Sequence, residues 1–282
     1  MDEIRVASIG HLARVDDFRG AVHAVFASSV YLASTRGPMI VIHDSVHGHT
    51  PTSCCIEAVR PITWGLRVGD RVAGRLGRLR VGVAVFDARH ARVWHPSQPT
   101  ARKSERFTSP QHSLRGGANE CDAADTAAKR LSSRCNMLST ALATGNERDA
   151  RLASRSLVGW GVGLTPSGDD AIVGLLAVVH RAGADKRMRQ IGAMARSVVA
   201  PLLDRTTPIS AHYLHLALDG HVGEHLTALA DACVHGGPVN DALVARVRDT
   251  GATSGRDALV GVAAGFSLIV RTRRTHVFEG AA

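Results

Sequence analysis

Gly161-Val162-Gly163-Leu164-Thr165-Pro166-Ser167-Gly168-Asp169-Asp170 runs without a break into Ala171-Ile172-Val173-Gly174-Leu175-Leu176-Ala177-Val178-Val179-His180. Glycines and a proline punctuate the first half, and the second half is almost wholly apolar. The order reads as loop, then cap, then helix. Thr165 or Ser167 is placed to cap the first free amides, Asp169 and Asp170 fall in the acid-favoured first turn, and the apolar run carries a helix over 171–182. A cap needs one hydroxyl and no alternating glycines. A loop of small residues that feeds open amides into a helix start is suited to hold an anion. The two carboxylates would repel that anion unless a cation such as Mg²⁺ lies between them.

Outward from this stretch the chain keeps a helical period. Apolar and small residues recur at helical spacing over 123–143 and 147–158 before the loop. After it they recur over 186–203, 211–218, 224–234, 241–247 and 257–270. Gly220, Gly236-Gly237-Pro238 and Gly251 supply the stops. Two of the later helices begin like the first. Thr206-Thr207-Pro208-Ile209-Ser210 repeats the Thr-Pro pattern, and Thr253-Ser254-Gly255-Arg256-Asp257 repeats the hydroxyl-Gly-x-Asp pattern. Each reads as an ordinary N-cap on its own, and together they read as three polar helix starts able to converge on one pocket.

Towards the N-terminus the period changes. Residues 21–26, 30–33, 39–43 and 54–59 are short β-prone runs. Leu79, Val81, Val83 and Val85 alternate with Arg80, Gly82 and Ala84, and 92–94 closes the series. Short strands with turn signals between them predict a small barrel or sandwich. The predicted fold is therefore α+β, a small N-terminal β-barrel or sandwich followed by an all-helical, bundle-like domain. The boundaries read as a β-rich domain over 1–98, a basic polar linker or loop over 99–120 and a helical domain over 121–282.

Composition narrows the function classes. Hydrophobic content of 45% with 21% charged residues describes a globular chain, and the 4% aromatic content means a core of Val, Leu and Ala. The start of the chain has neither the basic nor the apolar region of a signal peptide, and no run is long enough to span a bilayer, so a cytoplasmic protein is expected. Five cysteines without Cys-x-x-Cys spacing argue against a disulfide framework or structural zinc. Cys54 reads as a buried small residue or a reactive thiol. His43, His47 and His49 beside Asp44 read as a metal cluster or as incidental loop histidines.

The net charge of +9 is carried by arginine, densely over 60–115, where Arg67, Arg71, Arg75, Arg78, Arg80, Arg89, Arg92, Arg102 and Arg106 meet few acids. With no stacking aromatics or DNA-binding signature beside them, these arginines point to an acidic small molecule or partner protein more than to nucleic acid.

The Gly-Leu-Thr-Pro-Ser-Gly-Asp-Asp core over 163–170, with Thr253-Ser254-Gly255-Arg256-Asp257, resembles a bacterial family long classed as a domain of unknown function. That family includes the AllH subunit of the oxamate carbamoyltransferase of allantoin breakdown. Phe26-Ala27-Ser28-Ser29-Val30-Tyr31-Leu32 and 206–211 are similar to it as well. The resemblance implies an assembly with two other proteins, one of them like an acyl-CoA synthetase subunit, exchanging a carbamoyl group between oxamate and phosphate. Under that reading Gly161, Gly163, Thr165, Ser167 and Gly168 bind a phosphate or carboxylate. Asp169 and Asp170 orient a substrate amine or hold Mg²⁺, while Thr207, Ser210, Ser254 and Asp257 form secondary walls. Arg78 or Arg80 would balance the anion's charge. Two other classes stay open: a stand-alone Mg²⁺-dependent phosphotransferase or hydrolase, which here lacks the Gly-Lys-Ser/Thr of a P-loop, and a non-catalytic metabolite-binding module.

Overall fold

A computed structural model describes residues 3–57, 65–97 and 122–279. The chain divides into two compact units, Met1–Pro96 and Ser97–Ala282. The linker expected over 99–120 lies outside the described residues.

The first unit is a barrel. Its strands are β1 (Glu3–Gly10), β2 (Arg19–Val25), β3 (Ser29–Ser34), β4 (Ile40–Asp44), β5 (Ser53–Ile56), β6 (Arg71–Arg75), β7 (Arg78–Val81), β8 (Ala84–Asp87) and β9 (Arg92–Trp94). They follow the order β5-β4-β3-β2-β6-β7-β8-β1-β9, and a further pairing of β5 with β1 closes the sheet, which decides for a barrel over a sandwich. Ser8 and Ile9 meet β5 on one edge of β1 and β9 on the other, so β9 takes up the edge that β8 leaves. Alternation along β1 and β7 sends Ile4, Val6, Leu79 and Val81 inward, and these fill the barrel with Val30, Leu32, Ile40, Ile42, Ile56, Val72 and Phe86.

Three strand expectations need correction. The run 79–85 is two strands, because Gly82, with φ of 54°, takes the first place of a two-residue hairpin between Val81 and Ala84. That turn puts Val83 outside at 71% exposure, although the alternation counted it with the buried set. β1 and β6 are additional to the expected strands. β5 does not alternate: all four of its residues are buried, so both of its faces are covered.

The second unit is helical throughout its described residues. Its helices are α1 (Asp122–Thr144), α2 (Glu147–Leu157), α3 (Ser167–Arg181), α4 (Lys186–Val199), α5 (Pro208–Leu218), α6 (Glu224–His235), α7 (Asp241–Arg248) and α8 (Ser254–Glu279), with a 3₁₀ segment Ala200–Arg205 leading into α5. α3 is the central member, with ten of its residues buried. It packs along α8 in parallel, since Ala171 meets Gly261 and, further along, Leu175 and Val178 meet Gly265. The contact is backbone on backbone. A Cβ on Gly174 would lie 2.0 Å from the Ala258 carbonyl oxygen, and one on Gly261 would lie 1.8 Å from that of Ala171. Only glycine allows this approach, and it sets the N-terminal ends of both helices side by side.

Among the described residues no helix is long and apolar enough to cross a membrane.

Candidate functional site

The loop between α2 and α3 is held from beneath by one buried carboxylate. Asp169, 1% exposed, accepts from the Gly159 amide through Oδ1 at 2.9 Å. Its Oδ2 accepts from the hydroxyls of Ser210, at 2.7 Å, and Thr206. These donors tie the loop and the start of α5 to the first turn of α3, where negative charge is favoured. The Gly168 amide donates to the Trp160 carbonyl at 2.8 Å, and the Gly168 α-carbon sits so close to Leu157 that a Cβ would lie 2.0 Å from its oxygen. Thr207 caps α5 by accepting from the Ser210 amide at 3.1 Å, while its own hydroxyl donates to the Leu164 carbonyl.

Above this scaffold the loop is open. Gly161 to Leu164 are exposed, and among the described residues the amides of Gly161, Val162, Gly163 and Leu164 make no backbone hydrogen bond. Neither Thr165 nor Ser167 caps α3, contrary to expectation. Pro166 occupies the cap position with no side-chain hydrogen bond, and the Ser167 amide, at the first helical position, has no backbone acceptor either. Gly161 lies directly over that amide at φ of 121°, where a Cβ would come within 2.6 Å of the Ser167 nitrogen. The missing side chain leaves room over a helix-start amide that a Cβ would fill.

The displaced hydroxyls turn towards α8. Thr165 Oγ1 and Ser254 Oγ are hydrogen-bonded at 2.7 Å, and both stabilise the charged form of Asp170. Ser167 and Thr253 do the same for Asp257. Burial nevertheless dominates at both carboxyls. It pushes Asp170 up to about 7, with the charges of Asp257 and Asp169 adding to the shift. Burial also raises Asp257, against the pull of Ser167, Thr253 and Arg256. Each of the two keeps an Oδ2 that is shielded from solvent and has no hydrogen-bond partner. The three similar helix starts thus meet around one loop.

Residues 157–266 match the family model described as oxamate carbamoyltransferase subunit AllH, and residues 5–93 match the AllH family N-terminal domain. The chain belongs to the AllH family. That family is described as a subunit of an oxamate carbamoyltransferase, which implies protein partners. No curated protein and no solved structure matches the chain. The AllH match spans the loop and the starts of α3, α5 and α8, and the N-terminal match spans the barrel strands.

Within this AllH-family chain the eleven residues singled out by sequence fall into two groups. Asp169, Gly168, Ser210 and Thr207 face inward or spend their polar atoms on the fold. Gly161, Gly163, Thr165, Ser167, Asp170, Ser254 and Asp257 form the rim and its two carboxyls. Sequence reasoning did not find Thr206, although it stands next to Thr207, nor Trp160 and Arg134. Arg134 of α1 stacks its guanidinium 4.6 Å from the centre of the Trp160 ring and donates to the Ser156 carbonyl at 2.6 Å. Mid-helix, it has no local signal.

The other candidates lie in the barrel unit. Burial and the neighbouring Cys55 push the Cys54 thiol up to about 12, which makes it inert as a nucleophile. His43 is buried with its pKa lowered by desolvation, and it bonds the Asp44 carbonyl at 2.7 Å. His49 stacks on Trp94 and bonds Ser8 at 2.8 Å. Among the described residues no three His, Cys, Asp or Glu side chains gather to hold a metal ion. Arg78 and Arg80 lie on β7 of the barrel, with Arg78 paired to Glu3 at 3.0 Å.

Proposed function

We propose that the α3–α5–α8 junction is the anion-binding and proton-handling part of a carbamoyl-transferring complex. One observation carries the reading. An exposed glycine loop with unengaged amides stands over two shielded carboxyls, one of them titrating at about 7. The amides of Gly161, Gly163 and Ser167 take the carboxylate of oxamate or the phosphate of carbamoyl phosphate, at the positive end of α3. Arg134, steadied on Trp160, supplies the nearby cation. The amide nitrogen of oxamate attacks the carbamoyl carbon, a C–N bond forms, and the C–O bond to phosphate breaks. Asp170 takes the proton that the nitrogen loses and passes it to the departing phosphate. A carboxyl poised near neutrality suits a step that must run in both directions. Thr165 and Ser254 orient Asp170, and Asp257 keeps it basic. The remaining surface of the pocket comes from a partner, which the resemblance drawn from sequence identifies as an acyl-CoA synthetase-like subunit.

The test is carbamoyl transfer to oxamate by the chain reconstituted with that subunit. Asp170→Asn lowers kcat at least about a hundredfold, the scale of general acid–base catalysis, with little change in KM. Arg134→Ala raises KM and leaves kcat nearly unchanged. Full kcat in the Asp170→Asn complex overturns the proton-handling role.

A second reading has its own support. The donor set around Asp170 and Asp257 is oxygen only, which suits Mg²⁺ and no softer ion. The two carboxyls would hold the ion and a phosphate would complete its shell. Nucleotide turnover by the isolated chain that depends on Mg²⁺ would favour a stand-alone phosphotransferase or hydrolase. Stabilisation by oxamate or phosphate without turnover, alone or with the partner, would favour a metabolite-binding module.

A further inference from the structure

The arginine excess noted in the sequence is sorted by the barrel onto one face. Cross-strand register places Arg19, Ala73, Arg80, Val85 and Glu3 in one row across β2, β6, β7, β8 and β1. The next row holds Arg75, Arg78, Asp87 and Arg5, and Arg71 lies beside Ala21 on the other side. The inward neighbours Val72, Leu79, Val81 and Phe86 are buried, so every residue of these rows points out of the barrel.

The acids of this face are already taken. Glu3 pairs with Arg78 and, more loosely, with Arg89, and Asp87 pairs with Arg89 at 2.6 Å. Arg5, Arg19, Arg71, Arg75 and Arg80 make no ion pair among the described residues, and all five are exposed. Arg75 stands directly opposite Arg78, a like-charge pair that weakens the hairpin. Between the arginines lies a shallow cavity of about 440 Å³ bordered by Ala73 and Val85. The hairpin tips beside it expose Leu76 at 75% and Val83 at 71%. Arginine around a small apolar floor matches the residue types enriched at protein interfaces.

We infer that the outward face of β2, β6, β7, β8 and β1 is the docking surface for an acidic face of a partner subunit. This rests on the family's description as a subunit and is independent of the chemistry assigned to the helical unit. Arg80, flanked by Ala73 and Val85, is the central anchor. Arg75 and Arg71 steer the encounter, and the repulsion between Arg75 and Arg78 is relieved when a carboxylate comes between them.

The test uses the full chain, with the synthetase-like subunit from the same source as the probe. Affinity is measured at about 0.05 M and about 0.5 M NaCl, which span the screening range of exposed charges. Wild type binds and weakens at high salt, while Arg75→Glu/Arg80→Glu loses at least about tenfold in affinity at low salt. Arg36→Glu, an exposed site on the turn between β3 and β4, leaves binding unchanged. The double variant also keeps or raises the Tm of the barrel, because Glu at 75 attracts Arg78, so lost binding is not lost folding. Binding by the double variant within twofold of wild type overturns the docking face and leaves the subunit reading intact. If wild type does not bind the subunit at all, both fall. If the substitutions abolish retention of a labelled DNA duplex and leave subunit binding intact, the face belongs to nucleic acid and the inference is wrong.

Discussion

Asp170→Asn replaces a carboxyl that the fold holds protonated up to neutral pH with an amide of nearly the same shape. Asp170 titrates at about 7 in the fold, raised by burial from 3.8. The folded chain therefore binds this proton more tightly than the unfolded chain does. Its contribution to stability is complete below about pH 4 and is lost as pH rises through about 7. Between those limits each pH unit corresponds to about 1.4 kcal/mol, which sets an upper bound of about 4 kcal/mol. Residual solvent access lowers the figure to about 2–3 kcal/mol. The asparagine variant carries no such penalty. Urea unfolding followed by circular dichroism should show variant and wild type nearly alike at about pH 4, and the variant more stable by about 2–3 kcal/mol at about pH 8.5. Asp257→Asn should act in the same direction, because its carboxyl is also raised by burial. Equal stabilities at both pH values, or a variant weaker at high pH, would show that Asp170 is ionised in the fold, and the proton-handling role would go with it.

Three further outcomes follow from single distances or angles. Gly161→Ala sets a methyl 2.6 Å from the Ser167 nitrogen, so binding of phosphate or oxamate, measured by calorimetry, should weaken at least about tenfold while the helical unit stays folded. Leu76→Asn relaxes a left-handed residue, φ of 51°, at the first central position of the β6–β7 turn, and should raise barrel stability by about 1 kcal/mol in a thermal melt. Gly261→Ala drives a methyl into the Ala171 carbonyl at 1.8 Å and should cost the helical unit about 3 kcal/mol or more in urea; a neutral result would mean that α3 and α8 do not touch backbone to backbone.

The sequence was most legible where one local force decided the structure. The eight helical stretches stood out because apolar period and glycine stops agree, as at Gly220 and Gly236. The helices α3, α5 and α8 start three or four residues before their apolar runs, since residues 167–170, 208–210 and 254–256 form the first turns. β1 could have been found, because Ile4 and Val6 alternate with charges in Glu3 and Arg5. The hairpin at Gly82 was hidden, because a two-residue turn leaves the alternation of valines nearly unbroken. The convergence of the helix starts was legible as composition. The division of labour between adjacent aspartates was not. Asp169 and Asp170 are indistinguishable as letters, and only the placement of Gly159, Thr206 and Ser210 assigns one to the scaffold and the other to the rim.

That division follows from how α3 and α8 pack. Parallel helices in backbone contact bring two positive ends together, an arrangement that needs negative charge in the first turns. Asp169, Asp170 and Asp257 supply it, and Asp169 accepts from three donors within the fold. Asp170 and Asp257 then share a space with hydroxyls, and burial outweighs the pull of Arg256 on Asp257, so a proton is held near neutrality. Under the proposed function, an anion arriving on the Gly161–Ser167 amides adds negative charge beside Asp170 and strengthens its hold on a proton further. Linkage makes this reciprocal: proton uptake by Asp170 tightens the anion. Oxamate or phosphate would therefore bind with uptake of a proton at Asp170, and the protonated carboxyl is the form that can hand a proton to the departing phosphate. The stability forgone at high pH would then be the counterpart of a site tuned by its own substrate.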